Sequence, residues 1–577
     1  MTIFSENDFN TLAVAQDQFQ QKRFTNCIET LNQLEKSSTG VGKHLKVVHN
    51  KAIAKFFENG CKNTDTLLTI LEQEDLTLAA NSSIQQSSSI AKYNLAIIYF
   101  NNKKYEKAIE TLSPLIDNLE NIYESTAGKV GILFLHLLVI TNQIRKADFF
   151  LDILLKTLNI SLEISKDESI EFSSGNNTGI LTTNCDVELR KCLQVIKIHL
   201  MILNKEPFNF PEEIPKASQE YEVLKAFNSF LKTDLKSAGQ FLINNECGEE
   251  SELYEISLNN NLGVLQFSNN KIGIAEHFFQ CALRYDKELY TNIKSMPSHC
   301  LGYLKTPEIL YNLGLSKLHL GKSKEAFDCL LVSLRIYHNN PRLWLRVAEA
   351  CIIHYKSKQE TKKCEEHVIH KDKRFSIQHN RRKILYDSSN ASSRAIPAPT
   401  LEFASFCLSN CLKLLEDYQS KNWEEDEYDD LKHVQHNIFN PSGNLTSEVL
   451  NKILACAHLN SSYVALELGD FITAFKHSKE LLKLENIPVS YIYIGRMYAG
   501  KALVYLNDLV GGQKQFNLEN DFIEKLSEVM DKNNISADNA KSIMRYNSFI
   551  VDFLLGKHDI MTRLANLRCR IKLDLKL

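Results

Sequence analysis

Glycine and proline are scarce in this chain, 21 and 11 of its 577 residues, and that scarcity excludes most β-rich architectures. Turn-dense sheets use both residues often, whereas long helices need neither. A long hydrophobic run is also missing. The most apolar stretch, VGILFLHLLVI at 130–140, is too short to cross a bilayer and carries His136, so no membrane association is expected. No charge of one sign dominates. The net charge of −3 makes the chain as a whole a poor electrostatic magnet for nucleic acid. The start, MTIFSENDFNTL, lacks a basic segment followed by an apolar stretch, which reads as no secretory leader. The 14 cysteines include no CxxC pair. Several, such as Cys27, Cys281, Cys329 and Cys351, fall on helical patterns and read as reduced, half-buried thiols of a cytoplasmic and nuclear protein. Catalytic signatures are absent too. There is no GxxxxGK[ST], no GxGxxG after a strand, no HExxH and no GxSxG. Nothing local couples a nucleophile to a base, so no enzymatic activity, cofactor or small-molecule substrate is expected.

What the chain does have is a spacing. A small residue is followed twelve positions later by another, then by packing residues four and seven positions on. Gly263, Ala275, Phe279 and Ala282 are the clearest case. Gly314, Ala326, Leu330 and Ser333 repeat it, as do Ala96, Ala108, Leu112 and Leu115. The period of about 34 residues resembles the tetratricopeptide repeat, two antiparallel helices that stack with their neighbours. KRFTNCIETL at 22–31 aligns with KKYEKAIETL at 103–112, with Cys27 in the place of Ala108. Ala52, Ala147, Ala226, Ala238 and Ala474 sit at further small positions, and Trp344 lies where such a repeat packs an aromatic into its own helix pair.

The expected fold is all-α, a solenoid of about ten helical hairpins with irregular polar inserts. N-terminal repeats cover 1–161, a polar loop 162–184, central repeats 185–355, a basic and polar insert 356–400, and C-terminal repeats 401–577 with an acidic loop at 419–445. Helical patterns continue through 489–506 and 518–531, and 537–570 reads as a last pair.

Three local features invite chemistry. Cys364, His367 and His370, with His354 and His379 nearby, are zinc-type ligands, but their spacing matches no common zinc signature, and a solvated loop is the plainer reading. No metal is therefore assigned. KDKRFSIQHNRRK at 371–383 could contact RNA phosphates or act as a nuclear-import signal, with a solvated loop as the alternative. Asn261, Asn312, Arg342 and Arg346 are the candidate partner-binding residues. The last three match inner-helix positions that grip a C-terminal carboxylate in chaperone-binding tetratricopeptide domains. The preceding unit should then supply Lys and Asn, where this chain has Asn260 and Val264.

YHNNPRLWLRVAEACI at 337–352 resembles subunit ten of the CCR4-NOT deadenylase complex. So do LNNNLGVLQFSNNKIGIAEHFFQCAL at 258–283, LEFASFCLSNCLKLL at 401–415, SYVALELGDFITAFKHSKELL at 462–482, YIGRMYAGKALVYL at 493–506 and VVHNKAIAKFF at 47–57. Their order along the chain matches that family. The resemblance implies a non-catalytic scaffold that pairs with subunit eleven and docks on the N-terminal region of the large NOT scaffold. It further implies a role in mRNA deadenylation, mRNA decay and translational repression, with mRNA reached only indirectly. A chaperone-linked adaptor holding extended peptides is the alternative, and an RNA-binding protein using 371–383 ranks third.

Overall fold

Two helices that cross closely need small residues at the crossing, and the sequence spacing predicts where. The computed structural model describes residues 6–37, 41–59, 67–73, 85–158, 160, 184–205, 219–243, 252–291, 305–368, 397–420, 447–517, 522 and 537–556. Among these, every regular element is a helix and no strand occurs. Successive helices pair as antiparallel hairpins. Glu6–Gln20 lies against Phe24–Ser37, Gln85–Asn101 against Tyr105–Ile116, and Glu124–Ile140 against Ile144–Thr157. Gln219–Leu231 pairs with Leu235–Ile243, and Glu252–Ser268 with Ile272–Thr291. Ser447–Leu468 pairs with Phe471–Lys483, and Val489–Tyr505 with Leu509–Phe516. The tetratricopeptide-type solenoid read from the sequence is the fold observed.

One turn geometry builds these hairpins. Lys22, Lys103, Asn142, Thr233, Asn270, Gly321, Gly469 and Asn507 all adopt left-handed backbone, with φ between +56 and +82. The next N–H reaches back to a carbonyl near the end of the preceding helix. Lys104 donates to Tyr99 O at 2.8 Å, Asp470 to Ala465 O at 2.9 Å and Asp508 to Leu503 O at 2.9 Å. This reversal satisfies the last carbonyls and folds the chain back on itself. Each turn residue stands seven positions after one packing residue and five before the next. Ala15 and Cys27 flank Lys22, Ala96 and Ala108 flank Lys103, Gly263 and Ala275 flank Asn270, and Ser462 and Ala474 flank Gly469. All eight are buried. The twelve-residue step in the sequence is therefore the footprint of one turn.

The approach at these positions is close. A Cβ on Gly263 would sit 2.5 Å from the Phe279 ring, and one on Gly131, a turn before the register position Leu135, would sit 2.6 Å from Leu154. In another hairpin Ser478 Oγ donates to Ser462 Oγ at 3.1 Å, so the small residues hydrogen-bond across the crossing. Gly500, Gly512 and Phe516 make a repeat the spacing search passed over. A Cβ on Gly500 would lie 2.6 Å from Phe516, and the short helix is capped by Asp508, which accepts from Gly511 N at 2.9 Å. The second helix of this hairpin is Leu509–Phe516, earlier than the helical pattern at 518–531, of which only residue 522 is described.

The helix Pro341–Val368 runs well past residue 356, where the sequence reading places the start of an insert. Its tail, KSKQETKKCEEHV, contains strong helix formers and neither glycine nor proline. Its partner is Leu401–Ser420. Ala348 and Ala404 are the small pair, followed at the usual offsets by buried Leu408 and Cys411. The insertion thus falls between the two helices of a single hairpin. The chain divides into two compact units, one built on Met1–Ser316 and the other on Lys317–Glu424 with Leu445–Leu577.

Candidate functional site

The first helices of successive hairpins lie side by side. Residues seven before a left-handed turn pack inside the hairpin, and in several repeats the residue after them joins neighbouring first helices. In the first unit this register holds His199, Phe227 and Val264. Asn261 and Asn312 occupy another register, two residues before Gly263 and Gly314. Asn312 Nδ2 donates to Asn260 Oδ1 at 3.0 Å, which ties the two first helices together. Asn261 is half-buried and lines a cavity with Val264. Asn260 and Val264, which stand where a carboxylate clamp needs Lys and Asn, are thus engaged in a carboxamide pair and an apolar lining.

Arg342 and Arg346 lie in the second unit. The Arg342 N–H donates to Asn340 Oδ1 at 2.9 Å, part of the cap that starts the helix. Arg346 pairs with Glu349 one turn along, at 2.6 Å. Trp344 donates its indole N–H to His338 O at 2.6 Å and meets Phe406 edge-on at 6.0 Å. Its ring therefore packs within its own hairpin.

Around Arg346 the first helices of the second unit join through residues that sequence reasoning did not single out. Tyr355 donates to Glu467 at 3.3 Å, and Lys356 lies 4.5 Å over the Tyr463 ring. Tyr463 meets Tyr498 at 6.1 Å, and Cys456 pairs with Tyr491 at 3.2 Å. The signal was available in part: Tyr463 directly follows Ser462, the small position of its hairpin. Tyrosine and arginine on such a shared face suit a protein interface, where both are enriched.

The thiols and phenols here are held in their neutral forms. Burial pushes the thiols of Cys351 and Cys411 up to about 12 and raises Cys407 further. Burial likewise raises the Tyr463 and Tyr491 phenols and brings Tyr498 to about 12. These shifts oppose nucleophile activation, which requires a lowered thiol or phenol pKa. Cys364 and His367 fall on the helix Pro341–Val368, but their side chains, like His370, His379, the basic run 371–383 and the acidic run 424–430, lie outside the described residues. The loop 162–184 lies outside them apart from residue 184, as do residues 557–570. No described helix is long and apolar enough to cross a membrane.

Comparison with known proteins places this arrangement. The family profile described as the CNOT10 tetratricopeptide repeat domain matches residues 451–548. The CCR4-NOT transcription complex subunit 10 of Drosophila melanogaster is 31% identical, over 94% of this chain and 90% of that protein. Subunit 10-B of Xenopus laevis is 27% identical over 86% of this chain and 74% of its own length. Among solved structures, a thermophilic tetratricopeptide-repeat protein of Thermus thermophilus aligns at 15% identity. It covers 49% of this chain and 98% of that one, with a TM-score of 0.24.

Proposed function

The chain belongs to the CCR4-NOT transcription complex subunit 10 family, and on that premise we propose that it serves the complex as a non-catalytic scaffold. Its hairpin faces bind subunit eleven and the N-terminal region of the large NOT scaffold. Deadenylation, mRNA decay and translational repression are supported through those contacts, in cytoplasm and nucleus, while other subunits cut the RNA. The observation that carries this reading is the near-full-length similarity to subunit 10. The joined first-helix faces and the neutral thiols and phenols of the second unit agree with it. Permanent interfaces of this kind bury about 2,000–5,000 Å², which a stack of hairpins supplies without a reaction centre.

Co-expression with subunit eleven and the scaffold's N-terminal region, followed by size exclusion, tests it. Co-elution at equal stoichiometry is expected, together with no shortening of a poly(A) substrate by the chain alone. Elution of the chain apart from both partners, or adenosine removal by the purified chain, sinks the reading.

A further inference from the structure

In the first unit, three helices, Asn184–Leu203, Gln219–Leu231 and Glu252–Ser268, border a cavity of about 420 Å³. His199, Val223, Phe227, Phe230, Asn261 and Val264 line it. Among the described lining residues there is no carboxylate, ammonium or guanidinium. Burial lowers the His199 pKa, so the imidazole is neutral at pH 7, and its ring meets Phe227 edge-on at 5.5 Å. An ion entering this lining would lose its water without gaining a counter-charge.

The cavity lies at a seam in the core. Ile198, Ile202, Tyr221 and Leu224 form one buried cluster, and Ala226, Ala238, Leu242 and Leu265 form another. N-terminal to the seam, one large cluster draws its members from Ala52 to Leu200. A gap between two clusters forfeits packing contacts on both sides. Apolar cavities of about 150 Å³ already accept benzene, and ligand pockets span about 300–1,000 Å³. Asn261 offers one carboxamide, both donor and acceptor, in an otherwise apolar wall.

We propose that this cavity is a binding site for a free, neutral, mainly hydrocarbon or aromatic small molecule that carries one hydrogen-bonding function, met by Asn261. The site goes beyond the scaffold role and is read on the chain without its partners. The full-length chain is titrated with N-phenyl-1-naphthylamine, a neutral apolar fluorophore. A saturable, one-to-one rise in fluorescence is expected. Val264→Phe and, separately, Val223→Phe place a ring in the space, and each is expected to weaken the probe by about tenfold or more while keeping the helical circular dichroism. A diazirine derivative of the probe needs no variant, and on photolysis of the unsubstituted chain it should label peptides within 219–231 and 252–268. Absence of saturable binding, undiminished binding in a folded filling variant, or labelling confined to other peptides overturns the site. Adding subunit eleven and the scaffold segment separates two sources of the same chemistry. A probe retained in the complex supports a free apolar ligand, and a probe expelled as the complex forms overturns it in favour of side chains of a partner. Co-elution is scored separately, so failure of the assembly leaves the probe result readable.

Discussion

At the scale of single residues, the fold depends on what is missing from a few side chains. Gly263 has no Cβ because Phe279 occupies its place. Gly263→Ala puts a carbon 2.5 Å from the ring edge, so the ring or the helix must shift. The expected cost is about 1–3 kcal/mol, the usual range for overpacking a tight contact. Phe279→Leu in the same chain should return part of it, because the added methyl then meets a smaller neighbour. Thermal melts of the four members of the cycle measure the coupling, and strictly additive effects would show that the two residues do not meet. The same chemistry explains what the sequence conceals. Gly263 and Ala275 are legible because the residues around them are ordinary helix formers. Gly500 and Gly512 carry the same spacing to Phe516, yet GG at 511–512 reads as a helix breaker on propensity. Tertiary packing overrides that propensity, since a Cβ on Gly512 would lie 2.8 Å from Val504.

At the scale of one hairpin, half-buried polar pairs decide how stability responds to pH. His458 and His477 face each other across Ser447–Leu468 and Phe471–Lys483, with their Nδ1 atoms 3.1 Å apart. One ring must donate and the other accept, so the contact requires at least one neutral imidazole. Burial, reinforced by His477, pushes the His458 pKa from 6.5 down to about 4. Burial also lowers His477, and Lys476 adds to the effect, with Asp470 and Glu480 opposing it. In the unfolded chain both histidines take up protons near the ordinary value. Their contribution is therefore complete above about pH 6.5 and is lost as pH falls from there toward 4. Over that window the loss is on the order of 1–3 kcal/mol, allowing for partial solvent screening. His458→Gln should be less stable at pH 7.5 but flatter in its pH dependence. Melting temperatures between pH 7.5 and 5 check this, and parallel curves for the two proteins would remove the histidine pair as the cause. The hairpin scale also marks a limit of sequence reading. The pair Pro341–Val368 and Leu401–Ser420 keeps its small residues, Ala348 and Ala404, but the insertion between them breaks the twelve-residue step. A spacing search sees two unrelated helices where the structure has one hairpin.

At the scale of the molecule, a simple stack would place every contact between neighbours in sequence. The first unit departs from that rule. Lys103, the left-handed turn residue of the hairpin Gln85–Asn101 and Tyr105–Ile116, donates to Glu308 at 3.0 Å across 205 positions of sequence. Side-chain exposure is 8% for Lys103 and 19% for Glu308, so the pair is mostly shielded from water. Burial works against the Lys103 ammonium, yet Glu308 and then Tyr105 hold its pKa above the ordinary value. Nearby, Asp286 accepts from Lys305 N at 3.0 Å and from the Thr306 hydroxyl, which fixes the start of the helix that carries Glu308. No periodicity encodes such a tie, because it joins residues of different repeats at different registers. Breaking one side should hurt more than replacing both. Lys103→Met leaves a carboxylate in a largely dry site and should cost about 3–5 kcal/mol locally, whereas Lys103→Met with Glu308→Leu should recover most of that loss. Hydrogen exchange in Thr306–His319 reads the effect directly, since opening this contact exposes the first turns of that helix. Protection unchanged in Lys103→Met would mean that the hairpins of the first unit hold their places by neighbour stacking alone. Protection lost in the single variant and regained in the double one would make the buried ion pair the element that fixes two distant repeats against each other.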